Sequence, residues 1–216
     1  MKGYPVFLIG LDRRRCVVVG GDGEAQRKVE GLLECDARVT VIAARATDRI
    51  HALAALDELT WLERDYRSGD LEGALLVIVA EREPQLRARI RDDARAAGAL
   101  VNVMDDAEHC DFIAGSVVRR GALTVAISTS GSAPAMAVRL RQRLERELGP
   151  ELGEFLELMA SVRDRVARRH SDFRRRRALW YRLVDSDVLE HLRQGRREVA
   201  LERLESLLAA EPPDAA

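Results

Sequence analysis

The chain has 216 residues, 47% hydrophobic and 33% charged, a balance that fits a globular protein and excludes intrinsic disorder. Its 35 Lys plus Arg nearly match its 36 Asp plus Glu, so the whole-chain charge offers no argument for a nucleic-acid partner. Cys16, Cys35 and Cys110 form no CxxC pair and are odd in number, which argues against a disulfide framework or a closed zinc site and for a reducing compartment.

No apolar stretch with a small-residue cleavage site follows Met1-Lys2. The longest apolar runs, such as Ala74 to Ala80, are far too short to span a bilayer. A cytoplasmic protein with no membrane partner is expected. All cations except Lys2 and Lys28 are arginines, so Schiff-base chemistry has almost no candidates.

Strand-like runs occur at Val6 to Ile9, Cys16 to Val19, Val39 to Ala43, Leu59 to Leu62, Leu75 to Ala80 and Leu100 to Met104. Helical patterns fill most of the gaps. Glu24 to Cys35 carries Ala25, Val29, Leu32 and Leu33 toward one side, and Pro84 to Ala97 opens with the proline favoured in a first helical turn. This alternation predicts βαβ units and a parallel sheet, an α/β Rossmann-like fold.

From Phe112 the pattern changes. Phe112 to Val118 and Leu123 to Ser128 predict a hairpin, and Ser128 to Pro134 is a small-residue loop feeding a helix with Leu140 and Leu144 on one face. Past Gly149-Pro150 everything reads helical, and Glu211-Pro212-Pro213-Asp214 reads as a frayed tail. We divide the chain into 1–111, a dinucleotide-binding domain; 112–148, a hairpin-plus-helix region; and 149–216, an arginine-rich helical domain.

The run Cys16-Val17-Val18-Val19-Gly20-Gly21-Asp22-Gly23 is a strand followed by a glycine turn and a helix. A dinucleotide needs its pyrophosphate held by backbone N–H groups at such a helix start, with glycines where side chains would block approach. Two registers of G-x-G-x-x-G/A are open. Gly20, Asp22 and Ala25 put a carboxylate in the phosphate slot, whereas Gly21, Gly23 and Gln26 restore the second glycine and lose the third. At the end of the second strand, where an acid would bind a ribose hydroxyl, the chain has Ala44 and Arg45. Arg45 is either a partner for a 2′-phosphate or a solvated loop charge.

Taken in order, Tyr4-Pro5-Val6-Phe7, Val17 to Lys28, Ala37 to Ile42, Asn102-Val103-Met104-Asp105, Asp111-Phe112-Ile113 and Val125 to Pro134 resemble the siroheme synthase N-terminal module, the precorrin-2 dehydrogenase and sirohydrochlorin ferrochelatase family. The resemblance implies oxidation of precorrin-2 to sirohydrochlorin with NAD⁺, and in some members Fe²⁺ insertion. It also implies a homodimer built through the hairpin-and-helix region, with the helical domain helping to cover the tetrapyrrole. Too few residues follow position 149 for the methyltransferase domain of the longer siroheme synthases, so a stand-alone form is expected.

The family's turn has three consecutive glycines, and this chain departs from it at Asp22. Carried over residue by residue, the cofactor contacts fall on the turn, Gly20 to Gly23, with Glu24, and on Ala44 and Arg45; the key aspartate falls on Asp105. Asp105 ends a strand, where open α/β sheets bind ligands, although a turn former or helix cap suits that position equally.

Asp105-Asp106-Ala107-Glu108-His109-Cys110-Asp111 holds several metal-ligand types, but its spacing matches no established closed site, and no metal ligand is assigned. Precorrin-2 is rich in carboxylates, so its site should offer hydroxyl and arginine donors. Ser128, Thr129 and Ser130 are the hydroxyl candidates, set against a simple connector. The arginines from Arg163 to Arg182 are either a substrate cover or a solvated helix face. The expected activity is thus an NAD-dependent dehydrogenase acting on an anionic tetrapyrrole. The rival is a non-catalytic NAD(P)-sensing module.

Overall fold

A computed structural model describes residues 3–210, so the expected tail Glu211-Pro212-Pro213-Asp214 lies outside the described residues. The chain gathers into two compact units, Met1–Ala114 and Gly115–Ala216.

The first unit is a five-stranded sheet in the order β3-β2-β1-β4-β5. Its strands are β1 (Arg15–Val19), β2 (Arg38–Ile42), β3 (Thr60–Leu62), β4 (Ala74–Val79) and β5 (Leu100–Val103), and every pairing is parallel. Three helices connect them: α1 (Gly23–Leu33), α2 (Asp48–Ala55) and α3 (Pro84–Ala96).

The central strand explains the architecture. Cys16 and Val18 enter one core with Ala25 and Val29 of α1 and Ile50 and Leu53 of α2. Val17 and Val19 point the other way, into a core with Ile90 and Ala94 of α3. A strand buried on both faces needs the continuous apolar run that Cys16 to Val19 supplies. Full burial of such a side chain contributes about 1.5–3 kcal/mol relative to leaving it exposed.

The strand expected over Val6 to Ile9 does not form. Val6 and Phe7 are 65% exposed and Ile9 is 89% exposed. β1 already has β2 on one side and β4 on the other. The left-handed Gly10 and a 3-10 turn over Leu11–Arg13 separate the segment from β1.

Helix starts line the carboxyl edge of the sheet. Asp22 caps α1, Thr47 caps α2 and Glu83 caps α3, each accepting from N–H groups of its own first turn. These caps satisfy donors that have no partner inside the helix.

The second unit opens with the antiparallel hairpin β6 (Ser116–Arg120) and β7 (Leu123–Ile127), as expected. It continues with α4 (Pro134–Glu147), α5 (Glu151–Arg169), α6 (Phe173–Val184), α7 (Val188–Arg193) and α8 (Arg197–Ala209). Phe155, Leu158, Met159, Val162 and Val166 form a helical stripe on α5 that packs with Leu179, Leu183, Leu192 and Leu204.

Arginines close the helix ends here. Arg120 donates to the Glu145 and Leu148 carbonyls at the end of α4, each at 2.7 Å. Arg169 donates to the Leu208 and Ala209 carbonyls, and Arg182 to those of Leu207 and Ala210, at the end of α8. Among the described residues no helix is long and apolar enough to cross a membrane.

Candidate functional site

β1 and β4 are neighbours whose connections leave toward opposite ends of the sheet order, so the crevice beyond their carboxyl ends is the topological switch point where open α/β sheets bind ligands. The glycine turn sits there. Gly20 has φ of 121°, and a Cβ on it would lie 3.0 Å from the Ala80 Cβ. A Cβ on Gly21 would lie 2.1 Å from the Arg45 carbonyl oxygen. Only glycine fits between those walls. A Cβ on Gly23 would meet nothing within 4 Å, so this glycine faces open space.

The loop after β2 is tied to the turn through its main chain. Thr47 N–H donates to the Gly21 carbonyl at 3.0 Å, and Trp61 Nε1–H donates to the Ala43 carbonyl at 3.0 Å. These bonds hold Ala44 and Arg45, both exposed, beside the glycine turn. Gly20 to Glu24, Ala44 and Arg45 are therefore brought to one edge, although they come from two separate segments.

Asp22 occupies the position that the first register predicts, and its carboxylate is committed. Its Oδ1 accepts from the Glu24 and Ala25 N–H groups, each at 3.0 Å, and its Oδ2 accepts from Arg82 at 3.3 Å. The Ala25 N–H above all, with the Glu24 N–H and Arg82, holds this carboxyl below the usual carboxylate range. The N–H groups of Gly21, Asp22 and Gly23 have no partner among the described residues. The turn thus fits a pyrophosphate through its glycines and these three donors.

Beside it, burial pushes the Glu81 carboxyl above its ordinary range, and the carboxylates of Asp65, Asp22 and Glu83 add to the shift. Arg82, which bonds Asp22 at this edge, is a residue that the sequence reading did not single out. The available signal was a lone cation in Glu81-Arg82-Glu83, directly after the strand beside β1.

Asp105 lies just past β5 on the same edge, exposed, with φ of 58°. Aspartate tolerates this left-handed conformation better than most residues. Its neighbours are engaged elsewhere. Asp106 Oδ1 meets His109 Nδ1 at 2.7 Å, and this bond above all holds the Asp106 carboxyl low. Cys110 Sγ accepts from the Val103 N–H at 3.1 Å, Asp111 accepts from the Val101 N–H at 3.0 Å, and Asn102 donates to the Phe112 carbonyl at 2.9 Å. Residues 110–112 thereby cover the free edge of β5, which would otherwise offer unpaired backbone groups. Among the described residues no three His, Cys, Asp or Glu side chains converge as a metal site.

Ser128, Thr129 and Ser130 belong to the second unit, between β7 and α4. Ser128 Oγ accepts from the Ser130 N–H at 3.1 Å, and Thr129 Oγ1 accepts from the Ala133 N–H at 3.3 Å. Both hydroxyls keep their hydrogens for an outside acceptor.

Comparison with known proteins matches most of the chain in three consecutive pieces. Residues 7–116 match a family described as "Putative NAD(P)-binding", 120–147 the "Sirohaem biosynthesis protein central" family and 151–208 the "Sirohaem synthase dimerisation region". A siroheme synthase of Pseudoalteromonas atlantica is 35% identical over 99% of this chain and 46% of its own length. One from Thioalkalivibrio sulfidiphilus is 36% identical over 96% of this chain and 42% of its own length. The chain thus spans less than half the length of these relatives. A solved structure described as "SirC, precorrin-2 dehydrogenase" shares the fold, with a TM-score of 0.73, 22% identity and coverage of 94% of this chain and 100% of that one. With the glycine turn at the switch point and all three family matches in order, the chain belongs to the siroheme synthase N-terminal module family.

Proposed function

We propose that this chain is a precorrin-2 dehydrogenase, oxidising precorrin-2 to sirohydrochlorin with NAD⁺ in siroheme biosynthesis. The observation that carries the reading is the Gly20–Gly21 turn, closed against Ala80 and Arg45 and leaving three backbone N–H groups at the switch point. When bound, NAD⁺ supplies the hydride acceptor. Substrate loses a hydride and a proton, and the products are sirohydrochlorin, NADH and H⁺. Fe²⁺ is a second substrate in this proposal, entering sirohydrochlorin as the pyrrole protons leave.

In the proposed site, Gly20, Gly21, Asp22, Gly23, Glu24, Ala44 and Arg45 bind and orient the cofactor. Asp105 is exposed and free of internal hydrogen bonds among the described residues, so its carboxylate is available to take the proton. Ser128, Thr129 and Ser130 donate hydroxyl hydrogens to substrate carboxylates. Residues 1–111, 112–148 and 149–216 act as cofactor, dimerisation and substrate-covering regions of a cytoplasmic homodimer.

The test is an anaerobic assay of precorrin-2 with NAD⁺ and NADP⁺ separately, followed by added Fe²⁺, on the parent chain and Asp105→Ala. NADH should form with the parent, and Asp105→Ala should lower kcat by about a hundredfold or more, the usual scale for losing a general base. Cofactor binding without NAD(P)H formation from either cofactor would replace the dehydrogenase with the sensing module.

A further inference from the structure

The mouth of the β1–β4 crevice presents an electrostatic problem to any dinucleotide. Two N–H groups in the first turn of α1, those of Glu24 and Ala25, already bond the Asp22 carboxylate. That fixed anion sits where another anion has to approach. Glu81, Asp65 and Glu83 add acid around it: burial first, and then the carboxylates of Asp65, Asp22 and Glu83, push the Glu81 carboxyl up. Unrelieved like charge at this spacing in a crevice opposes a pyrophosphate strongly.

A cation bonds this cluster directly. Arg82 lies three residues past the end of β4, reaches across to Asp22 Oδ2 at 3.3 Å, and is otherwise in solvent, with its side chain 88% exposed. That single contact is at the long end for a charge-assisted bond, so it holds the guanidinium at the crevice without exhausting its donors. A guanidinium has five N–H donors in a planar fork, enough to stay on a carboxylate and bond phosphate oxygens together.

We propose that Arg82, positioned by Asp22, anchors the cofactor's pyrophosphate in this chain and offsets the carboxylate that stands in its glycine turn. The inference rests on the dinucleotide reading above. It adds a specific residue from the loop after β4, so the phosphates are held from both sides of the switch point.

Calorimetric titration of the whole chain with adenosine, ADP-ribose and NAD⁺ tests it, on the parent, Arg82→Ala and Arg82→Lys. Arg82 is exposed, so both variants should fold, and adenosine binding reports the rest of the site. Arg82→Ala should weaken NAD⁺ and ADP-ribose by roughly ten- to a hundredfold, the scale of a lost charge-assisted bond, and leave adenosine unchanged. Arg82→Lys should recover part of the loss. Equal affinity of the parent and Arg82→Ala for NAD⁺ overturns the anchor alone. Equal weakening of adenosine overturns it too, because the residue then acts on the whole site. A parent that binds none of the three probes overturns the dinucleotide reading and the anchor with it.

Discussion

In the first unit the buried layers are aliphatic strands and helices, while acids and arginines gather at the carboxyl ends of β1, β2, β4 and β5. In the second, arginines are woven into the framework: Arg120, Arg169 and Arg182 end α4 and α8, and Arg165 pairs with Glu205 between α5 and α8. The same residue type therefore stands in solvent at the sheet edge in one unit, as Arg82 does, and fastens helix ends in the other. Sequence composition does not distinguish these roles, because it depends on whether a helix end lies within reach.

The largest effect expected from breaking this contrast is common to both units. Ile90→Ala in the first and Leu183→Ala in the second remove fully buried side chains. Each should lower stability in denaturant unfolding by about 2–5 kcal/mol, the range for such truncations. Equal costs would show that both units rest on packing first.

The contrast should then appear with arginines. Arg169→Ala leaves the Leu208 and Ala209 carbonyls without their donor and should lower stability by about 1–3 kcal/mol. Arg82→Ala breaks only an exposed pair and should change it by less than about 0.5 kcal/mol. A large loss of stability with Arg82→Ala would erase the distinction between the units.

The smallest effect lies in pH. The folded Asp22 carboxyl is held below its unfolded value, so its contribution is fully present above the unfolded value and disappears as pH falls through the folded one. Asp22→Asn keeps an oxygen for the α1 cap but removes the charge. Acid unfolding of this variant should lose stability less steeply below about pH 4 than the parent. An identical acid limb would mean that folding does not hold the Asp22 carboxyl below its unfolded value.

Much of the first unit was legible because β-branched runs at Cys16 to Val19 and Leu75 to Ala80 have only one way to bury both faces. Val6 to Ile9 carries the same composition and forms no strand, since strand formation requires a partner edge that composition does not reveal. The residues of the proposed cofactor site drew attention through the glycine turn and its family context. Arg82 was not, because its meaning depends on β4 lying beside β1, a fact of sheet order. The acidic run after β5 was ambiguous for a related reason. His109 pairs with Asp106, while Cys110 and Asp111 serve the β5 edge, leaving Asp105 apart from those contacts.

The clasp between Gly21 and the loop after β2 also bears on how this site can change over generations. It is made by the Arg45 carbonyl, the Gly21 carbonyl and the Thr47 N–H, all main-chain groups. Mutation can therefore rewrite the side chains at 44 and 45 without loosening the loop, while Gly21 admits no replacement. In the proposed site, cofactor preference is thus a replaceable part mounted on a fixed turn: the side chains at 44 and 45 can be exchanged while the glycine turn stays in place.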